Sequence, residues 1–259
     1  MNNFIPITSK DNQNIKLVYT LQNSAKARNE NGVFVLEGLR ICKDAFENNI
    51  KFQKLFITNQ ALEKHSEIIK KFSLNSNECY ILSEQLFKKI SDTSSPQGII
   101  AVAKVPIFNE KISESGRYIA LENISDPANL GAISRTAEAL GVTGIIISKD
   151  SCDPYSPKSL RASMGTLLRM KIHILTNFAK ELQETNLKKY ACVVDREAKS
   201  ITEISFCDGV AVIIGNEANG ITDETKNIAD QCITIRMRGN AESLNAAVAA
   251  SISMWEMMK

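Results

Sequence analysis

The sequence predicts an α/β protein built from two domains. Apolar runs of strand length alternate with helix-length segments along the chain, a pattern typical of α/β proteins. Nine of the twelve glycines follow residue 106, so a glycine-poor front part can be separated from a glycine-rich back part. The apolar runs of the back part are nearly continuous, which indicates parallel strands covered on both faces.

The front part, residues 1–106, is predicted to be a small α/β domain. Helices are predicted over residues 9–31, 38–48 and 60–72, and strands over residues 33–36, 55–58 and 98–103. Residues 107–116 lack clean periodicity and end in turn-forming residues, so we interpret them as a linker.

The back part, residues 117–259, is predicted to be a larger α/β domain. Strands are predicted over residues 118–122, 144–148, 191–195, 210–214 and 232–235, followed by a closing helix over residues 241–258. Open α/β sheets bind ligands beyond the carboxyl ends of their strands, so functional residues are expected in the loops that follow these strands.

Composition excludes several classes of protein. The chain is 44% hydrophobic and 23% charged, which is ordinary for a globular protein. Six cysteines without a CxxC pair indicate reduced thiols in a cytoplasmic protein. Two histidines make a zinc site or a Ser-His-Asp triad hard to build, so no metal is expected. No apolar run is long enough to span a membrane and the first residues do not resemble a signal peptide, so no membrane partner is expected.

Charge is distributed unevenly. Residues 1–106 contain 14 Lys and Arg against 10 Asp and Glu, whereas the rest of the chain is mildly acidic. A basic front part is compatible with contact to nucleic acid, although surface lysines that only interact with solvent would give the same count.

Three polar segments follow predicted strands of the back part. In the first, Asn129 is expected to cap a helix, and Arg135 is expected near the start of that helix. An arginine, an asparagine and free helix N–H groups suit a phosphate or a ribose, although a capped helix with a surface arginine would give the same pattern.

The second segment, residues 213–221, places Gly215, Asn216 and Glu217 at a strand end, where glycine allows a close backbone approach to a ligand or simply a tight turn. In the third, a strand leads through a glycine turn into the closing helix, with Ser243 and Asn245 expected in its first turn. The chain has neither the G-x-G-x-x-G nor the G-x-x-x-x-G-K-[ST] pattern, which argues against a nucleotide-dependent oxidoreductase and against a P-loop protein.

Together, residues 123–137, 215–220 and 243–245 resemble, in order and spacing, three motifs of the SpoU (TrmH-like) branch of the SPOUT RNA methyltransferases. Residues 161–165 resemble a further family segment. The front part resembles the substrate-binding domain that is often fused ahead of the methyltransferase domain in this family. The matching positions are Ser9, Asn14, residues 15–16 and residues 34–38, so the resemblance covers nearly the whole chain. One departure is Arg236, which stands where the family usually has proline and removes a rigid turn element there.

The resemblance implies a fold and a cofactor. The implied fold is a parallel α/β sheet threaded into a trefoil knot, a known exception to the rule that chains are unknotted, behind a smaller domain resembling a ribosomal-protein α/β sandwich. The implied cofactor is S-adenosyl-L-methionine (AdoMet). The residues implied to bind it are Gly215, Ile235 and Leu244, with the neighbours Asn216 and Met237.

The resemblance also implies methyl transfer to a ribose 2′-hydroxyl of RNA, with ribosomal RNA as the favoured substrate. It assigns Arg135 as the candidate base, with Asn129, Glu217, Ser243 and Asn245 completing the site. Guanidinium is a poor base, so a role for Arg135 in holding phosphate and stabilising developing charge is the better interpretation, with Glu217 as the group that could orient it.

The implied partners are RNA and a second copy of the chain. Phosphate contacts in the front domain are expected from five basic residues: Lys10, Lys16, Lys26, Arg28 and Arg40. A dimer could use apolar residues of the closing helix, which could equally pack inside the monomer: Ile252, Met254, Trp255, Met257 and Met258. Two alternatives stay open, a non-catalytic RNA-binding or ribosome-assembly factor and a tRNA 2′-O-methyltransferase.

Overall fold

A mixed five-stranded sheet forms the centre of the first of two structural units. The structure is a computed structural model that describes residues 4–74, 76–106 and 111–259. The strands of this sheet are β1 (Ile5–Ile7), β2 (Val33–Glu37), β3 (Phe52–Thr58), β4 (Ser76–Leu82) and β5 (Ile99–Lys104). Their order is β1-β4-β3-β5-β2; β5 runs antiparallel to β2 and β3, and the other pairs are parallel.

Six helices accompany this sheet: α1 (Gln13–Asn23), α2 (Ala25–Asn31), α3 (Leu39–Glu47), α4 (Asn59–Lys64), α5 (Ser66–Leu74) and α6 (Glu84–Ile90). The single helix predicted over residues 9–31 is wrong, because Ser24 ends α1 in an extended conformation and its side chain caps α2. The helix predicted over residues 60–72 is likewise interrupted at His65.

An all-parallel sheet of seven strands forms the second unit, which confirms the predicted α/β class. Its strands are β6 (Arg117–Leu121), β7 (Gly144–Ser148), β8 (Ile172–Leu175), β9 (Lys188–Cys192), β10 (Lys199–Ser200), β11 (Val210–Ile214) and β12 (Gln231–Thr234). Its helices are α7 (Pro127–Leu140), α9 (Phe178–Gln183), α10 (Asp223–Ile228) and α11 (Ala246–Met257), while most of α8 (Pro157–Ser163) groups with the first unit. Short 3₁₀ turns lie at Thr166–Leu168 and Ile201–Glu203.

The order of this sheet determines where its loops meet. The strands run β10-β12-β9-β11-β6-β7-β8, so β11 is inserted between β9 and the earlier strand β6. Leu121 and Ile214, the last residues of β6 and β11, are paired in register. Because all seven strands are parallel, the loops after β6, β9, β11 and β12 leave the same edge of the sheet.

The described residues group into two compact units. One lies within Met1–Ile107 and also includes Tyr155–Arg161, and the other lies within Phe108–Pro154 and Ala162–Lys259. The predicted linker falls partly outside the described residues, at positions 107–110. The trefoil knot and the domain boundaries stay predictions. Across the described ranges, no helix has the length and apolar character needed to cross a lipid bilayer.

Candidate active site

Three loops at the carboxyl edge of the parallel sheet, those after β9, β11 and β12, together with the start of α11, line a cavity of about 620 Å³. This volume lies within the roughly 300–1,000 Å³ typical of small-molecule sites. All five predicted cofactor residues line it: Gly215, Asn216, Ile235, Met237 and Leu244. Glu217 and Ser243 line it as well, whereas Asn129, Arg135 and Asn245 are not part of its wall.

Glu217 is the centre of the hydrogen bonding beside this cavity. Its Oε1 accepts from the Asn129 side chain at 2.8 Å and from the Asp126 backbone N–H at 3.2 Å. Its Oε2 accepts from the hydroxyl and the backbone N–H of Ser125, at 2.9 and 3.2 Å. Burial alone would raise the pKa of Glu217, but hydrogen bonds from Asn129, its own loop backbone and Ser125 outweigh burial and lower the pKa to about 2. The carboxylate is therefore ionised at neutral pH and fixes the loop after β11 to the loop after β6.

Asn129 and Asn245 extend this network to α11. The Asn245 amide donates to Asn129 Oδ1 at 2.9 Å, while Asn245 Oδ1 caps α11 by accepting from the N–H groups of Ala247 and Val248. The expected position of Ser243 and Asn245 inside the helix is wrong, since α11 begins at Ala246. A continuous hydrogen-bonded chain thus runs from the start of α11 through Asn129 to Glu217.

The expectation that Asn129 caps a helix is also wrong. Asp126 is the N-cap of α7, accepting from the Ala128 N–H at 2.8 Å, and Pro127 occupies the first helical position, where a missing N–H costs little. Asn129 lies inside the helix and is only 7% exposed. Its side chain is consequently free of capping and can bridge Glu217 and Asn245.

Gly215 is required by a close backbone approach. A Cβ at this position would lie 2.2 Å from the Gly220 carbonyl carbon and 2.3 Å from the Ile221 nitrogen. Asn216 and Gly220 exchange backbone hydrogen bonds at 3.0 and 2.9 Å, which closes the loop. Asn216 Oδ1 accepts from the N–H groups of Ala218 and Asn219, both at 3.0 Å, and its amide donates to the Asn123 carbonyl at 2.8 Å.

Arg135 is placed differently from the groups around Glu217. It lies on an exposed part of α7, and within the described residues its guanidinium makes no hydrogen bond or ion pair. The expectation that Glu217 orients Arg135 is wrong, because the Glu217 carboxylate is occupied by Asn129, Ser125 and Asp126. Arg135 is therefore available to a ligand without first breaking a contact.

Sequence reasoning missed several groups around the cavity. The loop after β9 contributes Val193, Val194 and Asp195, which the sequence placed inside a strand, and Lys226 of α10 also lines the wall. The polar run Asp195-Arg196-Glu197 could have excluded Asp195 from the strand, but the apolar Val193 and Val194 conceal its end at Cys192. Ser125 lies within the motif at residues 123–137, but its partner Glu217 is 92 positions away in sequence.

Glu122, which was also not predicted, holds the end of the loop after β11 in place through hydrogen bonds. This carboxylate is only 4% exposed and accepts from the Thr222 N–H and hydroxyl at 2.9 and 2.7 Å, and from the Thr225 hydroxyl at 2.6 Å. These three donors satisfy a buried charge that would otherwise be costly. Glu122 therefore anchors the start of α10, and with it the far end of the loop that contains Glu217.

The cavity suits a cationic ligand with polar ends. Its wall contains the carboxylates Asp195, Glu217 and Glu242 against the single ammonium of Lys226. Excess negative charge disfavours a phosphate and favours a sulfonium. The chemistry of these groups therefore fits AdoMet. Within the described ranges, no three His, Cys, Asp or Glu residues are grouped as a metal site would need.

The five residues expected to contact phosphate in the first unit differ in their exposure to solvent. Lys10, Lys16, Lys26 and Arg40 are exposed. Arg28 is wrong as a phosphate contact, because it is 4% exposed and its Nη1 donates to the carbonyls of Leu21 and Gln22 at 2.5 and 3.3 Å. Its guanidinium closes the turn between α1 and α2 instead of facing solvent.

The fold and the site together define a class of protein, and comparison with known families identifies it. Residues 116–255 match the SpoU rRNA Methylase family, and residues 12–101 match the MRM3-like substrate binding domain. The chain belongs to the SpoU rRNA Methylase family.

Individual relatives resemble the chain over most of its length. The 23S rRNA (guanosine(2553)-2'-O)-methyltransferase RlmP of Bacillus subtilis is 28% identical over 97% of this chain and 98% of its own. The 23S rRNA (guanosine-2'-O-)-methyltransferase RlmB of Acinetobacter baylyi is 29% identical over 76% of this chain and 84% of its own. The crystal structure of an AdoMet-bound rRNA methyltransferase from Sinorhizobium meliloti has a TM-score of 0.84 at 27% identity, covering 97% of this chain and 96% of that one.

Proposed function

We propose that this protein transfers a methyl group from AdoMet to a ribose 2′-hydroxyl of RNA, with ribosomal RNA as the favoured substrate. The observation that carries the proposal is the cavity at the carboxyl edge of the sheet, whose wall contains the five residues expected to hold the cofactor. Relatives named for 2′-O-methylation of 23S rRNA align with most of the chain, which favours rRNA over tRNA.

In this proposal the two domains have different functions. Residues 117–259 form the methyltransferase domain, residues 1–106 form the RNA substrate-binding domain, and residues 107–116 link them. The family matches at residues 116–255 and 12–101 support this division. In the substrate-binding domain, the exposed side chains of Lys10, Lys16, Lys26 and Arg40 contact phosphates.

AdoMet is held by the loops after β11 and β12 and by the start of α11. Gly215, Asn216, Ile235, Met237 and Leu244 form its contact surface, and the ionised Glu217 contributes favourable negative charge. Bound AdoMet supplies an electrophilic methyl group on a sulfonium centre. Glu217, Asn129 and Asn245 keep the surrounding loops in one arrangement, and Ser243 lies in the cavity wall.

Arg135 has the role of an electrostatic group in this reaction. The guanidinium stays protonated at neutral pH, so it cannot readily accept the proton of the ribose hydroxyl. It instead binds the adjacent phosphate and stabilises negative charge that develops on the ribose oxygen. The absence of any hydrogen bond to this side chain among the described residues supports that assignment.

The protein also acts as a homodimer in the cytoplasm under this proposal. Of the apolar residues expected at the interface, Met254 and Met257 are fully buried within the chain and are unavailable. Trp255 is 57% exposed and Val248 of the same helix 46%, so α11 keeps an apolar surface that a second copy can cover. The free cysteines at all six positions support a reducing compartment such as the cytoplasm.

The decisive experiment is transfer of labelled methyl from AdoMet to unmodified rRNA and tRNA by wild type and Arg135→Ala. We expect alkali-resistant 2′-O-methyl linkages in rRNA, a loss of about 10²–10³-fold in the variant, and AdoMet affinity within about twofold of wild type. Light scattering of the same samples should give twice the mass of one chain.

Three outcomes would contradict parts of this proposal. Substantial activity of Arg135→Ala would exclude the role of Arg135, and label in tRNA alone would favour the tRNA enzyme. Failure of the wild type to bind AdoMet would favour the assembly factor.

A further inference from the structure

Arg236 connects two walls of the cavity. It lies in the loop after β12, between the lining residues Ile235 and Met237. Its guanidinium reaches across to the loop after β9, where Nη1 donates to the Arg196 carbonyl and Nη2 to the Ala198 carbonyl at 3.3 Å. The two loops belong to strands that are neighbours in the sheet.

The loop after β9 has little else to hold it in place. Val193 donates to the Ile233 carbonyl at 2.8 Å, and pairing resumes with β10 at Lys199. Between them, in the described structure, the side-chain hydrogen bonds that connect residues 194–198 to another element are the two from Arg236. Residues 194–197 are exposed, Val194 of the cavity wall to 67%, and Ala198 is buried, so packing does not fix residues 194–197.

We propose that Arg236 is a positioning residue that holds residues 194–198 against the loop after β12 and thereby keeps the cavity in the shape that binds AdoMet. The proposal rests on the proposed function, because it concerns the same cavity. Arginine does not fix its own φ as proline does, and two hydrogen bonds to backbone carbonyls provide rigidity by a different route.

The loss of the charge of Arg236 and the loss of its hydrogen bonds should change AdoMet affinity in opposite directions. A guanidinium beside the cavity repels a cationic ligand, so removing charge alone should leave AdoMet affinity unchanged or increase it. Removing the two hydrogen bonds should release Asp195 and its neighbours and decrease the affinity. The sign of the change therefore distinguishes the two effects.

Arg238 provides a matched control. It lies two residues further along the same loop, is exposed, and among the described residues makes no hydrogen bond or ion pair. Arg238→Ala therefore removes the same charge from the same loop without removing a contact to the segment after β9.

The experiment measures AdoMet binding by calorimetry for wild type, Arg236→Ala, Arg236→Lys and Arg238→Ala. We expect Arg236→Ala to raise the Kd for AdoMet about tenfold and the KM similarly, with kcat at saturating AdoMet within about twofold. Arg236→Lys keeps a donor that can reach one carbonyl and should recover about half of that loss on a logarithmic scale. Arg238→Ala should bind as wild type does.

Trypsin gives a second readout that needs no cofactor. The bond after Arg196 lies in the tethered segment, so Arg236→Ala should be cleaved there several times faster than wild type or Arg238→Ala. Equal Kd values and equal cleavage rates for Arg236→Ala and Arg238→Ala, with wild type binding AdoMet, would overturn the role of Arg236. A wild type that does not bind AdoMet would overturn the proposed function instead.

Discussion

The two units place their candidate functional residues in opposite ways. In the second unit, loops from parallel strands bring Asn129, Glu217 and Asn245 into one hydrogen-bonded chain beside a cavity. In the first unit, the exposed basic residues are distributed over the segment before α1 and over α1, α2 and α3. Lys26 forms an ion pair with Glu30 at 3.8 Å, and such surface pairs contribute little to stability. A convergent site suits a small ligand, whereas dispersed cations suit a long polyanion.

The largest effect is expected where the convergent site depends on backbone contact. Gly215→Ala introduces a Cβ into the backbone of Gly220, so the loop after β11 has to open. We expect methyl transfer to fall about a hundredfold and the free energy of unfolding to drop by about 1–3 kcal/mol. Gly239→Ala is the control, since a Cβ there meets nothing within 4 Å. Equal activity and equal urea midpoints for the two variants would show that the loop tolerates opening.

A smaller effect is expected from Glu217→Gln. Hydrogen bonds lower the pKa of Glu217 from the ordinary value of 4.5 to about 2 in the folded protein, so its stabilising effect is complete above about pH 4.5 and is lost as the pH falls towards 2. We expect the variant to be less stable by about 1–2 kcal/mol at pH 7, allowing for solvent screening, and to converge with wild type near pH 2.

Urea unfolding between pH 2 and 7 measures this convergence. Glu203→Gln is the control, because Glu203 is exposed and has no hydrogen bond or ion pair within the described residues. A difference between wild type and Glu217→Gln that stays constant over this pH range would contradict the importance of the ionised carboxylate.

The smallest effects are expected from single charges of the first unit. Lys16→Ala should weaken rRNA binding a few-fold and lower the slope of log affinity against log salt by about 1. Arg28→Ala should leave that slope unchanged and reduce stability by about 1–3 kcal/mol, because it removes a buried donor to Leu21 and Gln22. If Arg28→Ala changed the salt slope and Lys16→Ala did not, the assignment of Lys16 as a phosphate contact and of Arg28 as a structural residue would be wrong.

Much of the fold could be predicted from local sequence. Continuous apolar runs identified the strands around Ile119, Ile146 and Val212, all buried in the parallel sheet. The edge strands β1, β8 and β10 were not predicted, because two to four residues carry too little periodicity. The seven-residue strand β4 inside the first sheet was not predicted either, and its length does not explain that miss. The break at Ser24 was missed because a serine can lie in a helix or cap the next one, and only tertiary packing decides.

The candidate site was predictable as a set of residues but not as an arrangement. Loop positions such as Gly215 and Leu244 followed from strand ends and motif spacing, and they line the cavity. The partner of Glu217 did not follow, because Asn129 is 88 positions away and its side chain was assumed to be used in capping. The burial of Arg28 was likewise invisible, since the carbonyls that hold it belong to the end of the preceding helix.

The insertion of β11 between β6 and β9 has a consequence for synthesis on the ribosome. The cavity wall is drawn from residues between Cys192 and Ala249, so the pocket cannot exist until nearly all of these residues have emerged. The four exposed basic residues that we expect to contact phosphate, Lys10, Lys16, Lys26 and Arg40, emerge roughly 10–40 s earlier at ordinary translation rates. A nascent chain therefore exposes the candidate phosphate contacts of its first unit long before it has a cavity for the methyl donor.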